Sequence, residues 1–137
     1  MIDVRDACDQ IEARLRSEIP DDVMAGYVGE VDELVPTPPN DPRVSPYWAL
    51  WPGSGVLENR RIVPGTFVSS LEFTVTVAGG TNNRVLFGIE QVRKALAGAE
   101  IASGLISEQP FDPGPVRLDL SIEPARYFVP LAYLLEP

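Results

Sequence analysis

The sequence predicts an α+β domain in which two main helices pack on one face of an antiparallel or mixed sheet, in the order α-β-β-β-α-β-β. Its 137 residues suit a single domain over 1–137. The spacing of apolar residues changes between about 3.6 and 2 along the chain, which indicates both helices and strands. The 14 prolines are too many for a mostly helical protein, because proline lacks an N–H donor.

The first element is a helix that begins after Asp3, which can cap it, and ends before Pro20. Glu12 and Arg16 lie four residues apart and can form an ion pair on its solvent side. The apolar residues recur at helical spacing, which predicts one buried face. They are Val4, Ala7, Cys8, Ile11 and Leu15.

Two short strands follow, separated by a proline-rich segment. A strand is predicted around 23–28, although Gly26 weakens that prediction. Residues 35–46 hold five prolines and show no period, so we expect a loop or an extended arm. Residues 47–51, YWALW, predict an aromatic strand with Trp48 and Trp51 on opposite faces, only one of them in the core.

A long strand then leads into a second helix. Residues 53–65 form a second predicted loop, and its adjacent Arg60 and Arg61 are the only neighbouring bases apart from Arg93 and Lys94. Apolar and polar residues alternate over 66–78, which predicts a half-exposed antiparallel strand. The residues of its predicted apolar face are Phe67, Leu71, Phe73, Val75 and Val77. Thr81 or Asn82 can cap a helix over 82–97. The predicted buried stripe of that helix is Val85, Ile89, Val92 and Leu96.

The last third of the chain predicts two further strands. Residues 101–115 are loosely patterned, whereas Val116, Leu118, Leu120 and Ile122 alternate with polar residues and predict a half-exposed strand. Residues 125–137 are apolar on both faces. Because Pro130 cannot donate to a central ladder, we expect an edge strand there, and an apolar edge strand invites a partner.

Composition narrows the function classes. The net charge of −9, from 20 acidic and 11 basic residues, argues against a nucleic-acid reader built on basic contacts. A single cysteine excludes a disulfide framework within one chain and suits a reducing compartment. No run approaches the ~20 apolar residues of a membrane span, so we expect a soluble intracellular protein with no membrane contact.

The side chains needed for most catalytic and metal sites are missing. The chain has no histidine, which removes histidine-based triads and zinc sites, and its glycine pairs do not match a phosphate-binding loop. We therefore expect no enzyme, no cofactor and no metal. Paired carboxylates remain the one enzymatic possibility, with acids at 3, 6, 9 and 12, although a solvated helix face explains them more simply.

The order of these segments resembles the tail-terminator or tail-completion proteins, small neck proteins of long-tailed bacteriophages. The stretches that carry the resemblance run the length of the chain: VRDACDQIEARLRSEIP, PYWALWPG, ENRRIVPG, FTVTVAGGTNNRVLFGIEQVRKALAG and RYFVPLAYLLEP. The resemblance implies a structural protein of the virion tail or neck, assembled in the host cytoplasm. It implies a hexameric ring that caps the tail tube, ends its polymerisation and joins the tail to the head connector.

The same resemblance implies the partners and the contact residues. The partners are further copies of the chain, the tail tube protein and a connector or head-closure protein, while DNA passes through an acidic lumen without specific binding. Sheet edges are expected to join neighbouring subunits, and loops 35–46 and 53–65 to contact tube or connector. The candidate contact residues are Arg60, Arg61, Val63, Trp51, Pro38, Arg43, Tyr127, Phe128 and Leu131.

Three alternatives stay open at this point, and one of them is an adaptor protein with no connection to phages. The proline-rich segment 35–46 also suits a head-closure or neck adaptor protein rather than a terminator. A small carboxylate enzyme or a ligand-binding domain is the alternative from a different class.

Overall fold

The structure is a computed structural model and describes residues 1–31, 34–53, 55, 67–110 and 112–137. Helices α1 (Val4–Glu18) and α2 (Asn82–Leu96) pack on one face of a mixed sheet, which confirms the predicted α+β class. The strands described are β1 (Ile2–Asp3), β2 (Ala25–Val28), β3 (Tyr47–Trp51), β4 (Phe67–Val68), β5 (Leu71–Gly79), β6 (Glu100–Ile101), β7 (Gly104–Glu108), β8 (Arg117–Asp119) and β9 (Arg126–Glu136).

Both helices begin where the sequence predicts. The Asp3 carboxylate accepts hydrogen bonds from the Arg5 and Asp6 N–H groups, and the Thr81 hydroxyl accepts one from the Arg84 N–H. These side chains satisfy N–H groups that have no partner inside the helix. The buried stripe of α2 is Val85, Gly88, Val92, Ala95 and Leu96, while Ile89 is only half-buried.

The main sheet has the strand order β2-β3-β5-β9-β7-β6, with β8 also paired to β9. The β2–β3 pair is parallel and the other pairs are antiparallel. Packing explains why a glycine occupies position 26 in β2: a Cβ there would lie 2.0 Å from the Trp48 ring. The predicted strand over 66–78 is divided into β4, which pairs with β1, and β5.

The prediction that the C-terminal strand lies at an edge is wrong. Strand β9 is central, because it pairs with β5 along 127–135 and on its other side with β7 and β8. Pro130 is opposite Thr76 in β5 and lies between the stretches of β9 that pair with β8 and with β7. A proline can be accommodated where one ladder stops and another starts, since no ladder donor is needed there.

Two further predictions for the last third are corrected. Residues 101–115, read as loosely patterned, contain the β6–β7 hairpin, in which only Ile106 is buried. The strand predicted over 116–123 is only three residues long, β8, and its supposed buried face is exposed at Leu118, Leu120 and Ile122. Alternation identifies two faces of a strand but not which of them will be covered.

The main core lies between the helices and the sheet face that carries Trp48, Val75, Val77, Leu131 and Tyr133. Trp48 is buried whereas Trp51 is 44% exposed, which confirms that the two tryptophans face opposite ways. A second, smaller core lies on the other face of the sheet and consists of Val35, Val44, Tyr47 and Ala78. The sheet therefore has one face sealed by helices and one face covered in part by loop residues.

Candidate interaction surface

A groove crosses the sheet face opposite the helices. Its floor is formed by Ala49, Thr76 and Phe128 on three adjacent strands, and Trp51 and Ile122 stand at its sides. Its volume is about 370 Å³. The floor residues alternate along their strands with the buried residues of the helix side, so the same pleat that builds the core also builds the groove.

One wall of the groove is formed by Glu30, Val31, Leu34 and Val35, so the proline-rich segment 35–46 reaches the groove only at its first residue. Within this segment Val35 and Val44 are buried, and the Ser45 N–H donates to the Pro36 carbonyl at 2.8 Å, which folds the segment back on itself. The Gly80 N–H donates to the Val44 carbonyl at 2.9 Å and ties the segment to the start of α2. Residues 35–46 are thus held against the fold, rather than extended away from it as an arm.

An ion cluster fixes the same segment to helix α2. The Arg84 guanidinium pairs with the Asp41 carboxylate and donates to the Arg43 carbonyl at 2.9 Å. The Arg43 side chain also pairs with Asp41, at 3.0 Å. Hydrogen bonds from Arg43 first, and then from Arg84, hold the pKa of Asp41 well below its usual range.

The opposite wall is residues 119–126, and Arg126 holds it to the sheet. Arg126 is only 7% exposed, its Nη1 donates to the Tyr47 hydroxyl at 3.0 Å, and its Nε and Nη2 donate to the Pro124 carbonyl. Its guanidinium lies 5.6 Å from the centre of the Tyr47 ring, within cation–π range. Among the described residues, no carboxylate lies within ion-pair distance of Arg126.

Three carboxylates also line the groove: Glu30, Asp119 and Glu123. The Ser121 N–H donates to Asp119 at 2.9 Å, and the Ser121 hydroxyl donates to it too. These hydrogen bonds lower the pKa of Asp119, with a smaller contribution from the charge of Arg126. The groove therefore combines an apolar floor, a buried cation and an acidic rim.

Large apolar side chains are exposed beside the groove. Trp51 and Ile122 are both more than two-fifths exposed, and Leu120 is 73% exposed. Leu118, in β8, is also exposed, but it lies opposite Tyr127 and therefore on the helix side of the sheet, and neither Leu118 nor Leu120 lines the groove. Single exposed apolar residues are ordinary, but Trp51 and Ile122 line a concave surface with Phe128 on its floor, and such an arrangement is typical of an interaction site.

The structure distributes the predicted contact residues among three regions. Trp51 and Phe128 line the groove, while Pro38 and Arg43 lie on the proline-rich segment and do not line it. Tyr127 packs against the main core and Leu131 is buried within it, so Leu131 offers no surface to a partner. Arg60, Arg61 and Val63, with most of the loop 53–65, lie outside the described residues.

Sequence reasoning missed Arg126 and the importance of Ile122. The signal for Arg126 was a lone base at the start of a strand that is otherwise apolar, since a buried base needs a structural or binding partner. Ile122 and Leu118 were noticed as apolar but assigned to a buried face. Only the tertiary fold reveals that nothing in the described chain covers them.

The acids of helix α1 do not form a metal cluster in the structure. Asp3 caps the helix, and Glu12 accepts a hydrogen bond from Arg16 at 3.1 Å, so two of the four acids already have structural partners. Within the described ranges, no group of three or more Cys, Asp or Glu side chains is placed to hold a metal ion. Neither helix in these ranges is long and apolar enough to span a membrane.

Comparison with models of known protein families gives no match, and comparison with curated protein sequences gives no significant match.

Proposed function

We propose that this chain is a structural assembly subunit: a phage tail terminator that forms a ring on the end of the tail tube. The observation that supports the proposal is the groove, which has Ala49 and Phe128 on its floor and the exposed Trp51 and Ile122 in its lining. Covering such a surface with a partner stabilises the complex by about 25 cal/mol per Å² of apolar area removed from water. The action is binding, with no bond made or broken.

The rest of the molecule suits a passive ring. The helices seal one face of the sheet with a densely packed core, while the groove face and the strand edges stay open to neighbours. The net charge of −9 would let DNA pass through a central opening without adhering to it. In this proposal the groove face contacts further copies of the chain, and loop residues contact the tail tube protein and the connector in the virion.

Co-expression with the tail tube protein of the same genome tests the proposal. Tubes formed with the wild-type chain are expected to carry a ring at one end and to be shorter and more uniform in length, as seen by negative-stain electron microscopy. The test variant is Trp51→Ser, which alters an exposed groove residue and should remove binding while leaving the fold intact. Tubes made with this variant should resemble tubes made without the chain.

Two outcomes of this experiment count against the terminator function. If the wild-type chain neither binds the tubes nor changes their length, the proposal is wrong. If the chain binds the portal or connector complex and ignores the tubes, it is instead a head-closure or neck adaptor protein.

A ligand-binding function is the second candidate, and Arg126 is the observation that favours it. The groove lies within the size range of small-molecule sites, about 300–1,000 Å³. The Arg126 guanidinium is buried, its hydrogen bonds go to the Tyr47 hydroxyl and the Pro124 carbonyl, and Asp119 faces it from β8. A guanidinium in such a site is a natural contact for a small carboxylic acid. Thermal-shift assays with acetate, succinate and benzoate test this candidate, which predicts an increase in melting temperature that Trp51→Ser reduces.

A further inference from the structure

The proline-rich segment 35–46 has little buried surface of its own. Val35 and Val44 are its buried residues, and half of the segment is exposed. Its five prolines have no N–H to donate, and the segment forms no strand of the sheet. Segments with few buried apolar contacts open at a lower free energy than the core of the same protein. The segment is therefore the part of the described fold best suited to separate opening.

Arg84, near the start of helix α2, holds this segment by three contacts. Its guanidinium pairs with the Asp41 carboxylate and donates to two backbone carbonyls, that of Arg43 at 2.9 Å and that of Val44 at 3.2 Å. The Gly80 N–H donates to the same Val44 carbonyl at 2.9 Å. These contacts all reach the segment between residues 41 and 44, so one side chain can control whether it stays closed.

The buried side chains of the segment cover one end of the groove face. Val35 and Val44 pack with Tyr47 and Ala78 in the smaller core. Tyr47 lies opposite Ala78, and Ala78 lies opposite Phe128, so these three residues form one row across β3, β5 and β9. All three contribute to the lining of the groove. Displacement of the two valines would therefore enlarge the groove along this row.

We propose that the proline-rich segment 35–46 is a releasable cover, held closed by Arg84, which opens while the rest of the fold stays intact. This inference rests on the proposed function in one respect: the enlarged groove is the surface offered to a partner. A partner that needs the open form binds more weakly in proportion to the fraction of molecules that are closed. Arg84 therefore sets how much of the groove face is available for assembly.

Gly80 offers an independent way to displace the segment. A Cβ at position 80 would lie 2.5 Å from the Arg43 Cβ and 2.8 Å from the Val44 backbone nitrogen. These distances are shorter than van der Waals contact, so Gly80→Ala should push the segment away without removing a charge. Arg84→Gln removes the charge and adds no volume. The two variants act on the same contact by different physical means.

Thiol labelling measures the opening of the segment directly. The background is Cys8→Ser, so that only the introduced thiol reacts. Val44→Cys places a thiol on the segment, and Val75→Cys places one in the main core. Both valines are 0% exposed, so the two substitutions are matched. The reaction with dithionitrobenzoate is followed by absorbance in the full chain, at several urea concentrations below the unfolding transition.

The proposal predicts that Val44→Cys reacts at least about tenfold faster than Val75→Cys. Its rate should depend little on urea, because local opening exposes little surface. Arg84→Gln should raise the labelling rate at position 44 by a further factor of about ten, since hydrogen bonds to a charged group are lost. Gly80→Ala should raise the same rate, and it keeps the test open if Arg84→Gln does not fold.

Two control variants separate local opening from global unfolding. Arg93→Gln removes another arginine of helix α2, one that pairs with Glu108 of β7. Leu131→Ala weakens the main core and should speed the labelling of position 75. Neither variant should change the labelling rate at position 44, because the contacts that they remove are still present when only the segment opens.

Three results would overturn the inference. Labelling of position 44 as slow and as urea-dependent as that of position 75 would show that the segment opens only with the whole fold. An equal acceleration of both positions by Leu131→Ala would show the same. Unchanged labelling of position 44 in both Arg84→Gln and Gly80→Ala would show that these residues do not hold the cover.

The labelling needs no tail tube, so it is independent of the proposed function. If position 44 is as protected as position 75 and the chain still caps tail tubes, the inference fails and the proposed function stands. If the segment opens as predicted and the chain ignores tail tubes, the cover is real and the terminator function is wrong.

Discussion

The two faces of the sheet differ in what covers them. The face toward the helices carries side chains that are almost completely buried, such as Val75, Val77 and Tyr133. The other face is covered at one end by the proline-rich segment and is open along the groove. Val75 and Thr76 are neighbours in β5, yet Val75 is 0% exposed and Thr76 is half-buried on the groove floor. The closed face therefore contributes the stability of the fold, and the open face of the same strands is the one that we propose to bind partners.

The largest expected effect comes from placing a charge on each face in turn. Val75→Asp should unfold the domain, because burying an unpaired carboxylate costs several kcal/mol against a typical stability of about 5–15 kcal/mol. Thr76→Asp should stay folded and lose only about 1 kcal/mol, since its side chain faces the groove. Far-UV circular dichroism and thermal melting compare the two variants. A folded Val75→Asp protein would show that the closed face is assigned wrongly.

A deletion of side-chain volume is expected to have the next largest effect. Leu131→Ala should lower the free energy of unfolding by about 2–5 kcal/mol, because the residue is buried in the core and leaves a cavity. Trp51→Ala removes a larger side chain at an exposed position and should cost much less. Urea denaturation measures both changes. Equal losses for the two variants would contradict the division between the faces.

The proline-rich segment 35–46 should respond to pH through Asp41. Because Arg43 and Arg84 hold the pKa of Asp41 low, its stabilising effect is present above its unfolded pKa of about 3.9 and is lost as pH falls through the native value. Asp41→Asn should therefore melt at a lower temperature than wild type at pH 7, and the difference should shrink below about pH 4. A difference that is constant from pH 7 to pH 3 would exclude this role.

The smallest effect on stability is expected in the loop 53–65. Arg60→Glu combined with Arg61→Glu should leave the melting temperature unchanged, because this segment has no apolar periodicity to bury. The same change should weaken association with tail tubes in a pull-down assay. Unaltered association would remove the two arginines from the contact surface.

Local patterns predicted the helices and the central strand β5. Asp3 and Thr81 cap their helices through hydrogen bonds that depend only on nearby residues, so the sequence is sufficient to find them. The alternation in 66–78 likewise identified the buried face of β5. These features depend on contacts within a few residues or on a period that the chain itself carries.

Features that depend on distant partners were harder to predict. Pro130 suggested an edge strand, whereas the sheet places it where the ladder of β9 changes from β8 to β7. Leu118 and Ile122 alternate as a buried face would, yet no described element packs over them. Arg126 acquires its significance only when Tyr47 and the wall at 119–126 come together in space. Sequence spacing carries none of this information.

Light scattering of the purified chain and of Thr76→Asp, over a wide range of concentration, tests the central claim most directly. If the groove face joins copies into a ring, the wild-type mass should approach six times 15.0 kDa, about 90 kDa, while the variant stays at 15.0 kDa. A wild-type mass of 15.0 kDa at every concentration, or equal assembly of the two proteins, would contradict the claim.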